Sequence, residues 1–200
     1  MRVLLAVASR HGATREIADR IATELAGEGH VVDVVDPVDV DDLGPYDAVV
    51  LGSAVYTGHW LPEARVFARR FGSELAGRPL WLFSSGLATA PSAATSAPAQ
   101  LRELLARSGA RGHESFAGRL DLAALSRAER AIIAAARAPE GDQRDMGAVA
   151  SWARRVGAEL AADDADVADD ADAADLAAPR PGLGSSPVTP LARPAPLPTG

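Results

Sequence analysis

The chain has 200 residues, 48% of them hydrophobic, and a formal net charge of -7, a size that suits one globular domain plus an additional segment at roughly 100–200 residues per domain. All 20 basic residues are arginines, and the absence of lysine excludes a Walker-type P-loop, a Schiff-base enzyme and a phospho-receiver domain, each of which depends on a lysine amine. The absence of cysteine excludes disulfides, thiol nucleophiles, thiolate zinc sites and iron–sulfur clusters.

The apolar run Val3-Leu4-Leu5-Ala6-Val7-Ala8 reads as a first buried strand. At six residues it falls below the roughly 7–15 of a secretion signal, and Arg10 and His11 stand where a cleavage site needs small residues, so the expectation is a cytoplasmic protein. Ser9-Arg10-His11-Gly12-Ala13-Thr14 follows, then a helix with Ile17, Ile21 and Leu25 on one face, ending near Gly27 and Gly29. A second strand is predicted at His30–Val35 and closed by Pro37. The short stretch 37–45 has room for one turn of helix before a third strand, Tyr46–Leu51. Pro62 opens a helix through Phe71, Leu80–Phe83 forms strand four, Leu101, Leu104 and Leu105 face inward on the next helix, and strand five lies around His113–Ala117. Ser126 with Glu129 is a capping box opening a helix through Ile132 and Ile133. Val149, Trp152, Val156 and Leu160 mark the last helix. No run reaches the ~18 apolar residues of a membrane span.

Charge sets the end of the chain apart. Residues 163–175 read DDADVADDADAAD, and residues 163–200 hold seven acids against two arginines, whereas residues 1–162 hold 20 acids against 18 arginines. The body is thus near neutral, with no basic stripe for nucleic acid. Seven prolines lie between Pro179 and Gly200. The predicted organisation is a folded domain at 1–162 and a disordered Asp-rich, then Pro-rich tail at 163–200.

Alternating strands and helices predict a doubly wound parallel sheet with helices on both faces, and ligands in such sheets sit at the carboxyl ends of the strands where the winding reverses. Three strand exits are small and polar there. The first supplies Ser9, Arg10, His11, Gly12, Ala13 and Thr14, with hydroxyls, a tight glycine turn and a helix N-terminus suited to a phosphate. The second supplies Ser53, Ala54, Val55, Tyr56, Thr57, Gly58, His59 and Trp60. The third supplies Ser84, Ser85, Gly86 and Leu87. Together they describe a slot with phosphate at one end and a planar ring between two loops. Tyr56 and Trp60 are candidates for stacking, although Trp60 also reads as a helix-start residue packed on the core. His59 is the candidate proton donor, or else an exposed loop histidine. The four histidines have no metal-ligand spacing.

The segments MRVLLAVASRHGATREIA, YDAVVLGSAVYTGHW and LWLFSSG resemble the flavodoxin family, and in detail its branch of quinone-linked protoporphyrinogen IX dehydrogenases, in which a Ser-x-x-Gly-x-Thr loop also carries an arginine. The resemblance continues through Phe116–Asp121, Glu140–Asp145 and Trp152-Ala153, and covers roughly residues 1–162. It implies a flavodoxin-like five-stranded parallel sheet of order 2-1-3-4-5 with FMN at the switch point, the arrangement for which flavodoxin itself is the type example. One departure is His11, where flavodoxins tend to carry a third hydroxyl; imidazole can still donate to phosphate.

The resemblance further implies an FMN oxidoreductase passing electrons from protoporphyrinogen IX or another reduced substrate to a quinone, with a location at the inner face of the membrane if the acceptor is a quinone. Arg119 and Arg144 would then be candidates for the propionates of a tetrapyrrole substrate, against the plainer reading of surface ion pairs. Two other functions remain open, an electron carrier between redox proteins and a non-catalytic binding module of the same fold. A carrier calls for a strongly acidic face around the flavin, which the near-neutral body does not favour.

Overall fold

Six consecutive buried residues, Val3 to Ala8, place strand β1 (Arg2–Ala8) in the middle of the molecule. Successive strand residues point to opposite faces, so a strand buried throughout has to lie between two helical layers. The computed structural model describes residues 1–86, 108–136 and 140–177. Around β1 stand β2 (Val31–Val35), β3 (Ala48–Tyr56), β5 (Leu80–Gly86) and β6 (Gly112–Ala117), all parallel, in the order β2-β1-β3-β5-β6. This is the predicted 2-1-3-4-5 sheet once the two-residue β4 (His59–Trp60), which pairs antiparallel with β3, is set aside.

The two faces have separate cores. Val3, Leu5 and Val7 join Val50, Trp81 and Phe83 under Ile17, Ile21 and Leu25 of α1 (Ala13–Gly27) and Val149, Trp152, Val156 and Leu160 of α5 (Met146–Ala177). On the other face Leu4, Ala6, Val49, Leu51 and Leu82 pack against Ala64 and Phe67 of α2 (Pro62–Arg70) and Leu75 of α3 (Gly72–Ala76). The predicted helix after Pro62 is therefore two helices that meet at Phe71. A one-turn 3-10 helix at Pro37–Asp39 fills the short connection before β3, its Val38 amide donating to Asp36 at 3.1 Å.

Three expectations are corrected. Strand three does not end at Leu51 but runs to Tyr56, so Gly52 to Tyr56 are strand and not loop. Gly52 is glycine because the Phe83 ring of β5 lies against it, and a Cβ there would overlap the ring. Second, the Asp-rich run is not disordered from residue 163: α5 continues to Ala177. Alanine, the strongest helix former, is interspersed through the run, and its first acids are tied down, Asp163 to Arg111 at 2.6 Å and Asp164 to the amino terminus at 3.6 Å. Third, a small antiparallel pair, β7 (Arg119–Leu120) with β8 (Gly141–Asp142), flanks helix α4 (Arg127–Ala136) and has no counterpart among the predicted elements. The predicted helix around Leu101–Leu105 and the Pro-rich stretch from Pro179 lie outside the described residues. No described helix is long and apolar enough to cross a membrane.

Candidate functional site

β1 ends at Ala8 and α1 begins at Ala13, which leaves four residues to reverse the chain. Gly12 does so in the left-handed region, at φ 83° and ψ -23°, where a side chain would be strained. The helix that follows has no side-chain cap. Its first intrahelical amide bond is from Glu16 to the Gly12 carbonyl at 3.0 Å, so the amides before it are left for an outside acceptor. The Ser9 hydroxyl oxygen is buried without a hydrogen-bond partner, and Thr14, five residues on, is buried in the first turn of α1. A buried unpaired hydroxyl costs about 1–3 kcal/mol. An anion received by Ser9, the free amides and the helix dipole removes that cost, and every group in this set is a donor, the chemistry a phosphate monoester requires.

The carboxyl end of β3 closes the site beside this loop. Thr57 (φ 48°) and Gly58 (φ 78°) make a two-residue hairpin turn with both residues at positive φ, which matches the twist of the strands it joins. Tyr56, just before the turn, has the Arg10 guanidinium 5.6 Å from its ring centroid and the His11 ring at 6.2 Å. Burial raises the Tyr56 phenol above its ordinary pKa, with Arg10 pulling the other way. Arg10, His11 and Tyr56 thus meet between β1 and β3. There the chain leaves β1 for β2 on one side and leaves β3 for β5 on the other, so this is the reversal point of the winding. His59 on β4 is exposed.

Several predicted binding residues have other duties. The Ser53 hydroxyl is fully buried, donates to the Ala54 carbonyl at 2.8 Å and accepts from the Leu61 amide at 3.0 Å. Ser84 Oγ accepts from Trp60 Nε1 at 2.8 Å and lies 2.9 Å from His113 Nε2. Trp60 is 3% exposed, so its ring is core and not a stacking platform. These bonds make Ser53, Ser84 and Trp60 internal supports: they tie the 57–60 hairpin to the start of α2 and to the end of β5. Burial lowers His113 from 6.5 to about 4, which keeps the imidazole neutral in this network. Ala54 and Ser85 are buried in paired strands and Val55 is partly buried. Gly86 ends β5, its carbonyl accepting from the Gly118 amide at 2.8 Å. Leu87 lies outside the described residues.

Arg119 and Arg144 are likewise committed. The Arg144 side chain, 5% exposed, pairs with Glu16 at 2.8 Å and Asp142 at 2.7 Å and donates to the Ala13 carbonyl at 3.1 Å. Arg119 pairs with Glu16 at 2.9 Å. This internal ion pairing, the plainer of the two readings of these arginines, has a purpose at the loop. Glu16 puts a carboxylate in the first turn of α1, where it would repel a phosphate, and two arginines neutralise it. Hydrogen bonding from Arg144 lowers the pKa of Glu16 and holds Asp142 at about 2.

One carboxylate at the site escaped sequence reasoning. Glu129 forms the predicted capping box, its Oε2 accepting from the Ser126 amide at 2.8 Å and its own amide donating to Ser126 Oγ at 3.3 Å. Its other oxygen lies 3.3 Å from His11 Nε2 and 3.4 Å from Arg10 Nε. Hydrogen bonds from Ser126, then those from His11 and the charge of Arg10, hold this acid down at about 2. Among the described residues no His, Asp and Glu side chains cluster so as to hold a metal ion.

A family model described as a flavodoxin domain matches residues 4–146, and the cofactor of that family is FMN. Protoporphyrinogen IX dehydrogenase (quinone) of Escherichia coli strain K12 is 32% identical over 89 residues, 44% of this chain and 49% of that protein. The chain therefore matches about half the length of its curated relatives. Oxidised flavodoxin 2 from Bacillus cereus superposes with a TM-score of 0.54 at 25% identity, over 80% of this chain and 99% of that one. The flavodoxin of Streptococcus pneumoniae TIGR4 gives a TM-score of 0.53 over 82% and 99% of the two chains, at 20% identity, a likeness of fold.

Proposed function

We propose, from the premise that this chain belongs to the flavodoxin family, that it binds FMN through the Ser9–Thr14 loop and acts as an oxidoreductase that delivers electrons from a reduced substrate to a quinone. The observation that carries the cofactor assignment is the buried, partnerless Ser9 hydroxyl behind the uncapped start of α1. The loop is a cradle for one phosphate, without the G-x-G-x-x-G turn that a dinucleotide pyrophosphate uses. When bound, FMN takes up and releases electrons at its ring system.

The chain's own residues bind, orient and shield. Ser9, Thr14 and the first amides of α1 hold the phosphate, with Arg10 and His11 adding donors on its open side. Tyr56 offers the aromatic surface at the mouth of the slot, on a hairpin that Ser53, Trp60, Ser84 and His113 keep from moving. His59, exposed on that hairpin, is the candidate to carry a proton to or from the ring. Residues 1–162 form the flavin-binding unit, and the acidic and proline-rich remainder is an appendage to it.

The quinone acceptor, and a tetrapyrrole such as protoporphyrinogen IX as the reduced substrate, rest on the curated relative and on the residues shared with it. A quinone acceptor places the protein in the cytoplasm, peripherally at the inner membrane face. The near balance of 20 acids and 18 arginines in residues 1–162 favours an enzyme over a carrier that recruits basic partners through an acidic face. The test is a visible spectrum of the purified protein, chromatography of the flavin released by heat, and the rates of bleaching by candidate reductants and reoxidation by menaquinone. Recovery of FAD, or no flavin after reconstitution, rejects the cofactor assignment. Bound FMN that menaquinone fails to reoxidise rejects the acceptor.

A further inference from the structure

Glu129 has no place in a phosphate cradle built of donors. It approaches from α4, 118 residues further along the chain than His11, and sets an anionic oxygen 3.3 Å from His11 Nε2 and 3.4 Å from Arg10 Nε. Its position is not that of a loose surface side chain, because the second carboxylate oxygen is fixed by the Ser126 amide at 2.8 Å. The helix cap and the loop contact share one carboxylate, so the start of α4 is pinned across the mouth of the loop. Arg10 and His11 are the two loop side chains that can carry positive charge, and both are directed at the protein's own acid.

We infer that Glu129 is an internal competitor for the phosphate end of the flavin site, and thereby sets how strongly this protein prefers FMN over riboflavin. The inference rests on the FMN reading and deepens it. A phosphate seated between Ser9 and the α1 amides draws on Arg10 and His11 as well. Two anions sharing those cations repel each other, so binding FMN loosens Glu129 from the loop and α4 with it. Riboflavin, which lacks the phosphate, asks for no such exchange. Glu129 therefore weakens FMN and leaves riboflavin alone, which holds the cofactor less tightly than the cradle's donors by themselves would.

Glu129→Gln tests this cleanly, since glutamine serves the same capping box as glutamate and removes only the charge. Both flavins are titrated against the wild type and the variant by fluorescence quenching, with circular dichroism confirming equal helix content. The expected result is FMN binding about three- to tenfold tighter in the variant, the scale of a partly screened ion pair, with riboflavin unchanged. Equal changes for both flavins, or none, overturn the inference. So does a selective loss of FMN affinity, which would mean that Glu129 holds Arg10 and His11 ready for the phosphate. Inorganic phosphate separates this inference from the FMN reading. If neither protein binds flavin but phosphate raises the thermal midpoint more in Glu129→Gln than in the wild type, the competitor stands and the FMN assignment falls; an equal or smaller rise overturns the competitor too.

Discussion

Replacing Ser9 by alanine is expected to move stability and cofactor affinity in opposite directions. In the structure the hydroxyl oxygen is buried and has no hydrogen-bond partner. Its removal relieves a desolvation cost of about 1–3 kcal/mol in the flavin-free protein, which for a chain of this length is roughly 2–12 °C of thermal midpoint. With FMN present the same hydroxyl donates to a charged phosphate, a bond of about 1.5–3 kcal/mol, so its loss weakens FMN roughly tenfold to a hundredfold. Riboflavin should bind the variant as it binds the wild type. Differential scanning fluorimetry of the flavin-free proteins and fluorescence titration of both flavins read the two effects. A midpoint that drops in the flavin-free variant, or riboflavin affinity that falls in step with FMN, would refute the assignment and make Ser9 a packing residue of the β1–α1 turn.

Thr14→Val, which removes the hydroxyl of a buried residue in the first turn of α1, should weaken FMN more than Arg10→Gln, whose exposed guanidinium is screened by water; riboflavin titrations serve as the control for both. Arg144→Gln takes from Asp142 its arginine partner and leaves Glu16 with Arg119 alone, and should lower the midpoint by roughly 4–8 °C, from a loss of about 2 kcal/mol that is below that of a fully buried pair because both acids are partly exposed. Those two acids have folded pKa values below their ordinary ones, Asp142 falling from 3.8 to about 2. Their contribution is complete above about pH 4.5, the ordinary value of Glu16, and fades as pH falls below it, for Asp142 toward about 2, and acid titration of stability should show this loss shrinking in the variant. His113, lowered from 6.5 to about 4, takes up its proton more readily when unfolded, so stability should be full above pH 6.5 and decline between 6.5 and 4. His113→Gln should flatten that window in pH-dependent melts, and an unchanged slope would count against a buried neutral imidazole.

What the sequence made legible was whatever local chemistry decides. The turn from β1 into α1 could be read from Ser9, Gly12 and Thr14 because a strand end, a left-handed glycine and a helix start are consecutive. The sheet order followed from alternating apolar runs and the family resemblance, and the Ser126–Glu129 capping box from a spacing of three. Less legible were the internal partners of the polar residues at the strand ends, which local patterning does not reveal. Ser53 is engaged by the Leu61 amide, and Ser84 by Trp60 and by the His113 ring 29 positions on, contacts that only the folded chain creates. Arg119 pairs with Glu16 across 103 positions, and Arg144 reaches Ala13 across 131. The Asp-rich run was misjudged for a different reason: its charge argued for disorder, while its alanines and the anchors at Asp163 and Asp164 extend the helix to Ala177.

The contact between Gly52 and Phe83 makes two positions inherit together. Any side chain at 52 would occupy the space of the Phe83 ring, so that position can diversify only in a lineage that has first reduced residue 83. Such a reduction also removes the ring against which Phe116 and Trp152 lean, with centroids at 6.2 Å in both cases. Relatives with a larger residue at 52 should therefore carry compensating changes at 83, 116 and 152 as a set. The next residue of β3 is Ser53, whose hydroxyl anchors the 57–60 hairpin at Leu61, so a record of covariation in the core would double as a record of how the carboxyl end of β3 has been allowed to drift.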